Sequence, residues 1–268
     1  GTRVCFVDEN KISLNKRGQV TIWIIVAIIL VAVIALFFVI AGKSPIDVIK
    51  PSMPNPQENI EKCVKDSTLE AVAIMMPQAG YISPENYKLY NNNKVQYLCY
   101  TNKFYYPCIN QEPMYIQHLE EEIKNYIKPK IETCFYNLKR TYQERNYVVE
   151  VGAGDININL VQKQIEIDVN KGLKISKNEE TRNYEKFKVK IISPLYDLAI
   201  VAQEITNQEA KFCYFEYLGF SLLYPTISID KKQVGSEETV SKIYSIKDKF
   251  SGKELLIAIR SCAMPGGL

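Results

Sequence analysis

"KRGQVTIWIIVAIILVAVIALFFVIAGK", residues 16–43, holds the longest apolar run of the chain, and the architecture turns on how it is read. Residues 18–42 carry no charge, which is 25 positions in succession. A helix rising about 1.5 Å per residue needs only about 20 to cross a hydrocarbon core. One membrane span is therefore expected. A disposable secretory signal has a shorter apolar region, about 7–15 residues, and a small-residue cleavage site that this run lacks. Lys11, Lys16 and Arg17 precede the span, whereas Lys43 and Lys50 follow it. That bias points the short N-terminal tail to the cytoplasm and places the rest outside.

Cysteine usage bears on the same question. Six of the seven cysteines, Cys63, Cys99, Cys108, Cys134, Cys213 and Cys262, follow the span, and only Cys5 precedes it. An even number beyond a membrane suits disulfides in an oxidising compartment. Cys99 and Cys108 bracket a short turn-rich loop, "CYTNKFYYPC", that a bridge would close. Cys63 in "IEKCV" and Cys134 in "IETCF" lie on apolar faces of two expected helices, leaving Cys213 with Cys262. Six cysteines allow 15 pairings, and this set is the preferred one. The close C-x-x-C spacing of a zinc site does not occur.

Downstream of the span, "KSPIDVIKPSMPNPQEN" carries four prolines and reads as a semi-rigid stalk, since proline fixes φ and donates no hydrogen bond. Ile60, Cys63, Val64, Ser67, Ala71, Ile74 and Met75 then follow helical spacing until Pro77 and Gly80. A tyrosine-rich stretch comes next, in which Tyr97, Tyr100, Tyr105 and Tyr106 are candidates for an aromatic contact surface. A second helix is expected over 113–142, kinked or divided at Pro129.

The period then changes. "NYVVEVGAGDININLVQKQIEIDVNKGLKISKN" alternates apolar and polar residues in short runs, predicting an antiparallel meander with turns at Gly-Asp and Asn-Lys-Gly. "EKFKVKII" adds a strand, Ser193 and Pro194 start a helix carrying Leu195, Leu198, Ala199, Ala202 and Ile205, and "EAKFCYFEYLGF" could extend it. "PTISIDKK", "SKIYSIKD" and "ELLIAIRSC" complete the sheet. The expected fold class is α+β, organised as a tail at 1–17, a transmembrane helix at 18–42, a stalk at 43–58 and one outer domain at 59–268.

Chemistry-bearing motifs are few. The one histidine, His118, stands in "QHLEEEI" with Glu121 and Glu122 three and four residues on, a spacing able to present a metal or an acid–base pair. A solvated helix face explains it more simply. The glycines of "VGAGDI" lack the lysine and the strand-to-helix context of a phosphate loop and suit a hairpin turn. Glu179 with Glu180, and Glu237 with Glu238, sit in polar loops beside lysines. No catalytic residue, metal or cofactor is assigned. With 33 basic and 30 acidic side chains and no basic cluster, the chain lacks the positive field that nucleic acid demands.

The segment "NKRGQVTIWIIVAIIL" resembles the class III signal segments of archaeal pilin-like proteins, in which a basic pair and glycine precede glutamine and a long apolar helix. The resemblance implies processing between Gly18 and Gln19 by a prepilin-type peptidase, export of the outer domain and assembly through the apolar helix. Together with "IEKCV", "QAGYIS" and "RSCAMPGG", the same start looks like single-span surface proteins of small-genome archaea. The proline-rich stalk departs from the pilin pattern and favours a flexible tether. The expectation is a non-enzymatic cell-surface protein in the cell membrane, its partners being the lipid bilayer and other copies or other surface proteins. A filament subunit starting at Gln19 is the alternative, and a membrane-tethered hydrolase a third.

Overall fold

The computed structural model describes residues 16–40, 53–103, 105–235 and 240–262, with side chains given from residue 23 to 37 in the first segment. Two compact units result, Gly1–Ser52 and Met53–Leu268. The first contributes helix α1 (Lys16–Ile40), as its unbroken run of Ile, Val, Leu and Ala dictates. Its large apolar side chains from Trp23 to Phe37 are 46–72% exposed, so it has no polar face. Residues 23–37 number 15 and rise only about 22 Å. Among the described residues, accordingly, no helix is long and apolar enough to cross a membrane.

The second unit is α+β. Helix α2 (Pro56–Met75) begins earlier than its apolar spacing suggests because Asn55 caps it: the side-chain oxygen accepts from Gln57 N at 3.1 Å and Pro56 occupies the first turn. The stalk expected at 43–58 therefore ends at Asn55; residues 43–52 lie outside the described residues. After a 3₁₀ turn (Met76–Gln78), Ala79 and Gly80 take positive φ and Gly80 N returns to Met75 O at 2.8 Å. A Cβ on Gly80 would lie 2.3 Å from a Leu119 methyl, so glycine is required where the chain crosses helix α3 (Tyr115–Gln143).

Pro129 does not divide α3, which runs for 29 residues. Its buried stripe, Leu119, Ile123, Ile127, Ile131, Phe135, Leu138 and Tyr142, passes through the proline without losing phase. Burying side chains of this size, at about 1.5–3 kcal/mol each, outweighs the roughly 3 kcal/mol that an interior proline costs. The stripe packs on α2 and on the β-strand that follows.

Two sheets complete the unit. In the first, strands β1 (Tyr87–Tyr90), β2 (Asn93–Tyr100), β8 (Ile227–Val234), β9 (Ser241–Asp248) and β10 (Glu254–Arg260) are ordered β1-β2-β10-β9-β8, with β3 (Ile109–Asn110) beside β2. All its pairs are antiparallel except β2 with β10, where Tyr97 meets Ala258. The second sheet is built on a long hairpin of β4 (Val148–Val161) and β5 (Gln164–Lys177), with β6 (Glu180–Tyr184) and β7 (Phe187–Ile192) sharing the other edge of β5. Helix α4 (Leu195–Phe212) packs against strands of both sheets, and Cys213 ends it with φ of 57°. The expected continuation is a separate short helix, α5 (Tyr217–Leu223).

"VGAGDI" is no hairpin turn. It lies within β4, and its register shifts between Val151 and Gly154. Burial moves from Val149 to Ile156 and Leu160, changing from odd to even positions, which is why one strand reads as two runs. A Cβ on Gly154 would fall 1.7 Å from Asn170 O, so only glycine permits the strands to meet there. The turn itself is made two residues after Leu160, with Lys163 at φ 60°.

Three disulfides join Cys63 to Cys134, Cys99 to Cys108 and Cys213 to Cys262, the expected pairing. The two I-E-x-C helices are thus pinned to each other, α2 to α3, and the contact is flanked by Glu70, which accepts from Tyr126 and Lys130 at 2.7 Å each. Reduction should add six hydrogens to the mass of the Met53–Leu268 unit, three bonds opening. Replacing Cys63 and Cys134 together by serine should cost about 2–5 kcal/mol in denaturant unfolding. Six thiols alkylated in native protein would contradict the pairing.

Candidate functional site

An open cleft lies along the outer face of α4. Tyr196, Ile200, Gln203, Glu204 and Asn207 recur there at helical intervals and form its floor. One wall comes from the end of the β4–β5 hairpin and from Ile192, the last residue of β7. The other comes from α5 and the β9–β10 turn, through Phe220, Tyr224 and Phe250. The cleft measures about 1390 Å³, beyond the roughly 300–1,000 Å³ of most small-molecule sites. Its lips are apolar and open, with Ile192 88% and Phe250 86% exposed.

Local structure explains these exposures. Ile192 falls on the even, outward side of the alternation that buries Phe187, Val189 and Ile191. Phe250 occupies a turn held by Asp248, whose carboxylate accepts from Ser251 N at 2.7 Å and from Ser251 Oγ at 2.5 Å. Burial by itself would push the Asp248 carboxyl up, but the Ser251 and Phe250 donors and the charge of Lys163 together hold it below the usual range. Asp197 accepts from Lys163 N at 2.9 Å and so ties α4 to the hairpin turn. Helix α5 contains no fully buried residue although its sequence is YLGFSLL. Its start is fixed by Glu216, which accepts from Leu218 N and Gly219 N.

A buried polar cluster lies at the other end of α4. Glu209 is fully buried and accepts from Lys242 Nζ at 2.6 Å and from the Tyr244 hydroxyl. Lys242 also donates to Cys213 O at 2.6 Å, and Ser261 Oγ donates to Glu209 O at 3.2 Å. The network therefore locks the C-terminus of α4, the Cys213–Cys262 bridge and β9 together. Burial, then the neighbouring Glu209 carboxylate, raises the Tyr244 hydroxyl far above its ordinary value. Lys242 Nζ, the Tyr244 hydroxyl and Ser261 Oγ all donate to Glu209 or its neighbour Cys213 within the protein, which makes this a structural lock.

His118 does not meet Glu121 or Glu122. Glu122 accepts from Ile82 N at 2.7 Å, Glu121 from Gln117 Nε2 at 3.2 Å, and the adjacent Glu120 from Leu160 N at 2.8 Å. The imidazole faces Glu112 instead, with Nδ1 3.6 Å from the carboxylate, beneath the ring of Tyr81. His118 Nε2 and the Tyr115 hydroxyl are buried without hydrogen-bond partners. Among the described residues, no three His, Cys, Asp or Glu side chains gather as a metal site. Glu179 and Glu180 sit at the β5–β6 turn, while Glu237 and Glu238 lie outside the described residues.

The aromatic contact candidates divide. Tyr97 is buried, its hydroxyl bonded to Ser241 Oγ at 2.7 Å, because it points from β2 into the core. Tyr100 lies beside it, the two rings tilted with centroids 5.2 Å apart, and beneath Arg260. Only Tyr105 and Tyr106 stand out to solvent, their rings 4.8 Å apart on the loop that the Cys99–Cys108 bridge closes. Gly18 and Gln19 lie in the first turn of α1. Sequence reasoning passed over the cleft residues Ile192, Ile200, Glu204 and Phe250. The available signal was "EYLGFSLLYP", an apolar segment too short to bury itself.

No family model, characterised protein or solved structure matches the chain.

Lys242→Met, which strands the Glu209 carboxylate, should lower stability by about 3–5 kcal/mol, and Lys242→Met with Glu209→Leu by less. Buried tyrosines supply a second test. Tyr81, Tyr115 and Tyr244 hold raised folded values, mainly through burial. Their contribution is fully present below the unfolded tyrosine value, about 10, and is lost as pH rises above it. In a tyrosinate absorbance titration these rings should ionise only with unfolding.

Proposed function

We propose that the protein is a non-enzymatic, membrane-anchored surface protein whose disulfide-linked domain works by contact, in adhesion or envelope assembly. The observation that carries this reading is α1: a helix of 25 residues whose described side chains are apolar on every side, in a unit separate from the folded domain. A helix apolar all round requires an apolar surround, and the uncharged run of residues 18–42 has the length of a bilayer span. Three disulfides, all within the domain, suit an oxidising exterior.

In this reading α1 anchors and the chain between Ile40 and Met53 sets the reach. Those 12 residues cover at most about 40 Å. The bridged loop with Tyr105 and Tyr106 and the cleft along α4 then supply contact area. The partners are the bilayer and other surface proteins, including further copies. The basic pair and glycine ahead of Gln19 favour a second reading, a pilin-like filament subunit assembled through the apolar helix.

The N-terminal residue of protein taken from its native membrane tests both. An intact tail that still carries Cys5, in protein released only by detergent, is the expected outcome. A start at Gln19 in sheared filaments would replace the anchor with the filament subunit. Recovery of the whole chain in soluble extracts, with its thiols free, would defeat both readings.

A further inference from the structure

The cleft along α4 combines three properties whose conjunction specifies an occupant. It is elongated: Tyr196 to Asn207 covers twelve residues of helix, a rise of about 17 Å. It is apolar at its lips and walls, through Ile192, Phe220, Tyr224 and Phe250, and at Ile200 on a floor otherwise edged by Gln203, Glu204 and Asn207, and exposed apolar patches of this kind mark binding sites. Its charged lining is predominantly acidic, since Asp197, Glu204 and Asp248 face it against the single base Lys163. Part of the positive field of Lys163 is already directed to Asp248, and its amide to Asp197.

We propose that this cleft is the docking site for an amphipathic, lysine- or arginine-bearing helix of a partner protein. A helix of about three turns matches the 17 Å floor, and its side chains at i, i+3 or i+4, and i+7 would fill the space between Ile200, Phe250 and Ile192. Basic residues on its flanks would lie over Glu204, Asp197 and Asp248, giving register and faster association. The concave form, with walls on both sides of α4, suits an inserted rod better than a flat lipid surface. The acidic lining opposes anionic headgroups for the same electrostatic reason. The inference rests on the reading of the protein as one that works by contact, and is independent of the anchor, because every residue involved belongs to the Met53–Leu268 unit.

The test uses that unit in oxidised form, its core and three disulfides being self-contained. Three labelled helical peptides of about 14 residues, with leucine at i, i+3, i+4 and i+7 and the remaining positions lysine, glutamine or glutamate, are titrated by fluorescence anisotropy. The lysine peptide should bind at least about tenfold more tightly than the glutamate peptide, and added salt should narrow the difference. Ile200→Glu should weaken lysine-peptide binding at least about tenfold with an unchanged melting temperature. Glu204→Lys should weaken the lysine peptide and strengthen the glutamate peptide. Equal affinity for all three peptides, or binding by none, overturns the proposal. So does cosedimentation of the unit with phosphatidylglycerol vesicles that Ile200→Glu abolishes, which would make the cleft a lipid surface. A dimer in sedimentation equilibrium that Ile200→Glu dissociates would assign it to a second copy and overturn the proposal as well. Processing or loss of residues 1–18 would leave all these outcomes untouched.

Discussion

The stripe on α3 is the constraint to which the rest of the domain answers. Seven large side chains from Leu119 to Tyr142 must leave water on one face of one helix, and neither α2 nor the β4–β5 hairpin alone could cover them. The two elements share the task, and the Cys63–Cys134 bridge holds α2 in place on one flank. The polar edge of α3 is used as well: Glu120 and Glu122 satisfy the amides of Leu160 and Ile82, joining the helix to the hairpin end and to the loop after the 3₁₀ turn. A helix so held has little freedom to break at a proline.

Helix α4 inherits its position from that arrangement and serves two purposes along its length. Its inner face, Leu198, Ala199, Ala202 and Ile205, is core between the sheets. Near its far end Glu209 is buried and bonded to Lys242 and Tyr244. Its outer face near the start is left open, walled by elements that are themselves short or turning. Rigidity at one end of the helix and openness at the other make a fixed platform with an accessible surface, the arrangement expected where binding is not to be taxed by reordering.

The sequence makes legible whatever depends on local periodicity. The stripes of α2 and α3, the strands of the C-terminal sheet and the proximity of Cys99 to Cys108 all follow from spacing within a few turns or one loop. The pairing of Cys63 with Cys134 was readable because two cysteines stood on apolar helix faces that had to meet. What escaped depends on distant contacts. The bulge at Gly154 is dictated by Asn170 across the hairpin, and without that partner two glycines look like a turn. Tyr97 resembles the exposed Tyr105 and Tyr106 in residue type and differs in standing on β2, facing the core, rather than on the bridged loop that follows. The cleft could not be found from spacing, because its floor and walls come from α4, a hairpin end, α5 and a turn some 50 residues on.

The parallel neighbours β2 and β10 carry a consequence for the order in which the domain can be made. Tyr97 pairs with Ala258, so the centre of the first sheet is filled by β10, the last strand among the described residues, inserted between β2 and β9. A chain emerging from its N-terminus can close the α2–α3 bridge and the Cys99–Cys108 loop early, yet β2 must then wait, one edge unpaired, until some 160 residues more have appeared. Cys262 follows β10 in the chain, so its bridge to Cys213 cannot close before that strand has appeared. A molecule lacking β10 would therefore lose the middle of its sheet rather than a fringe.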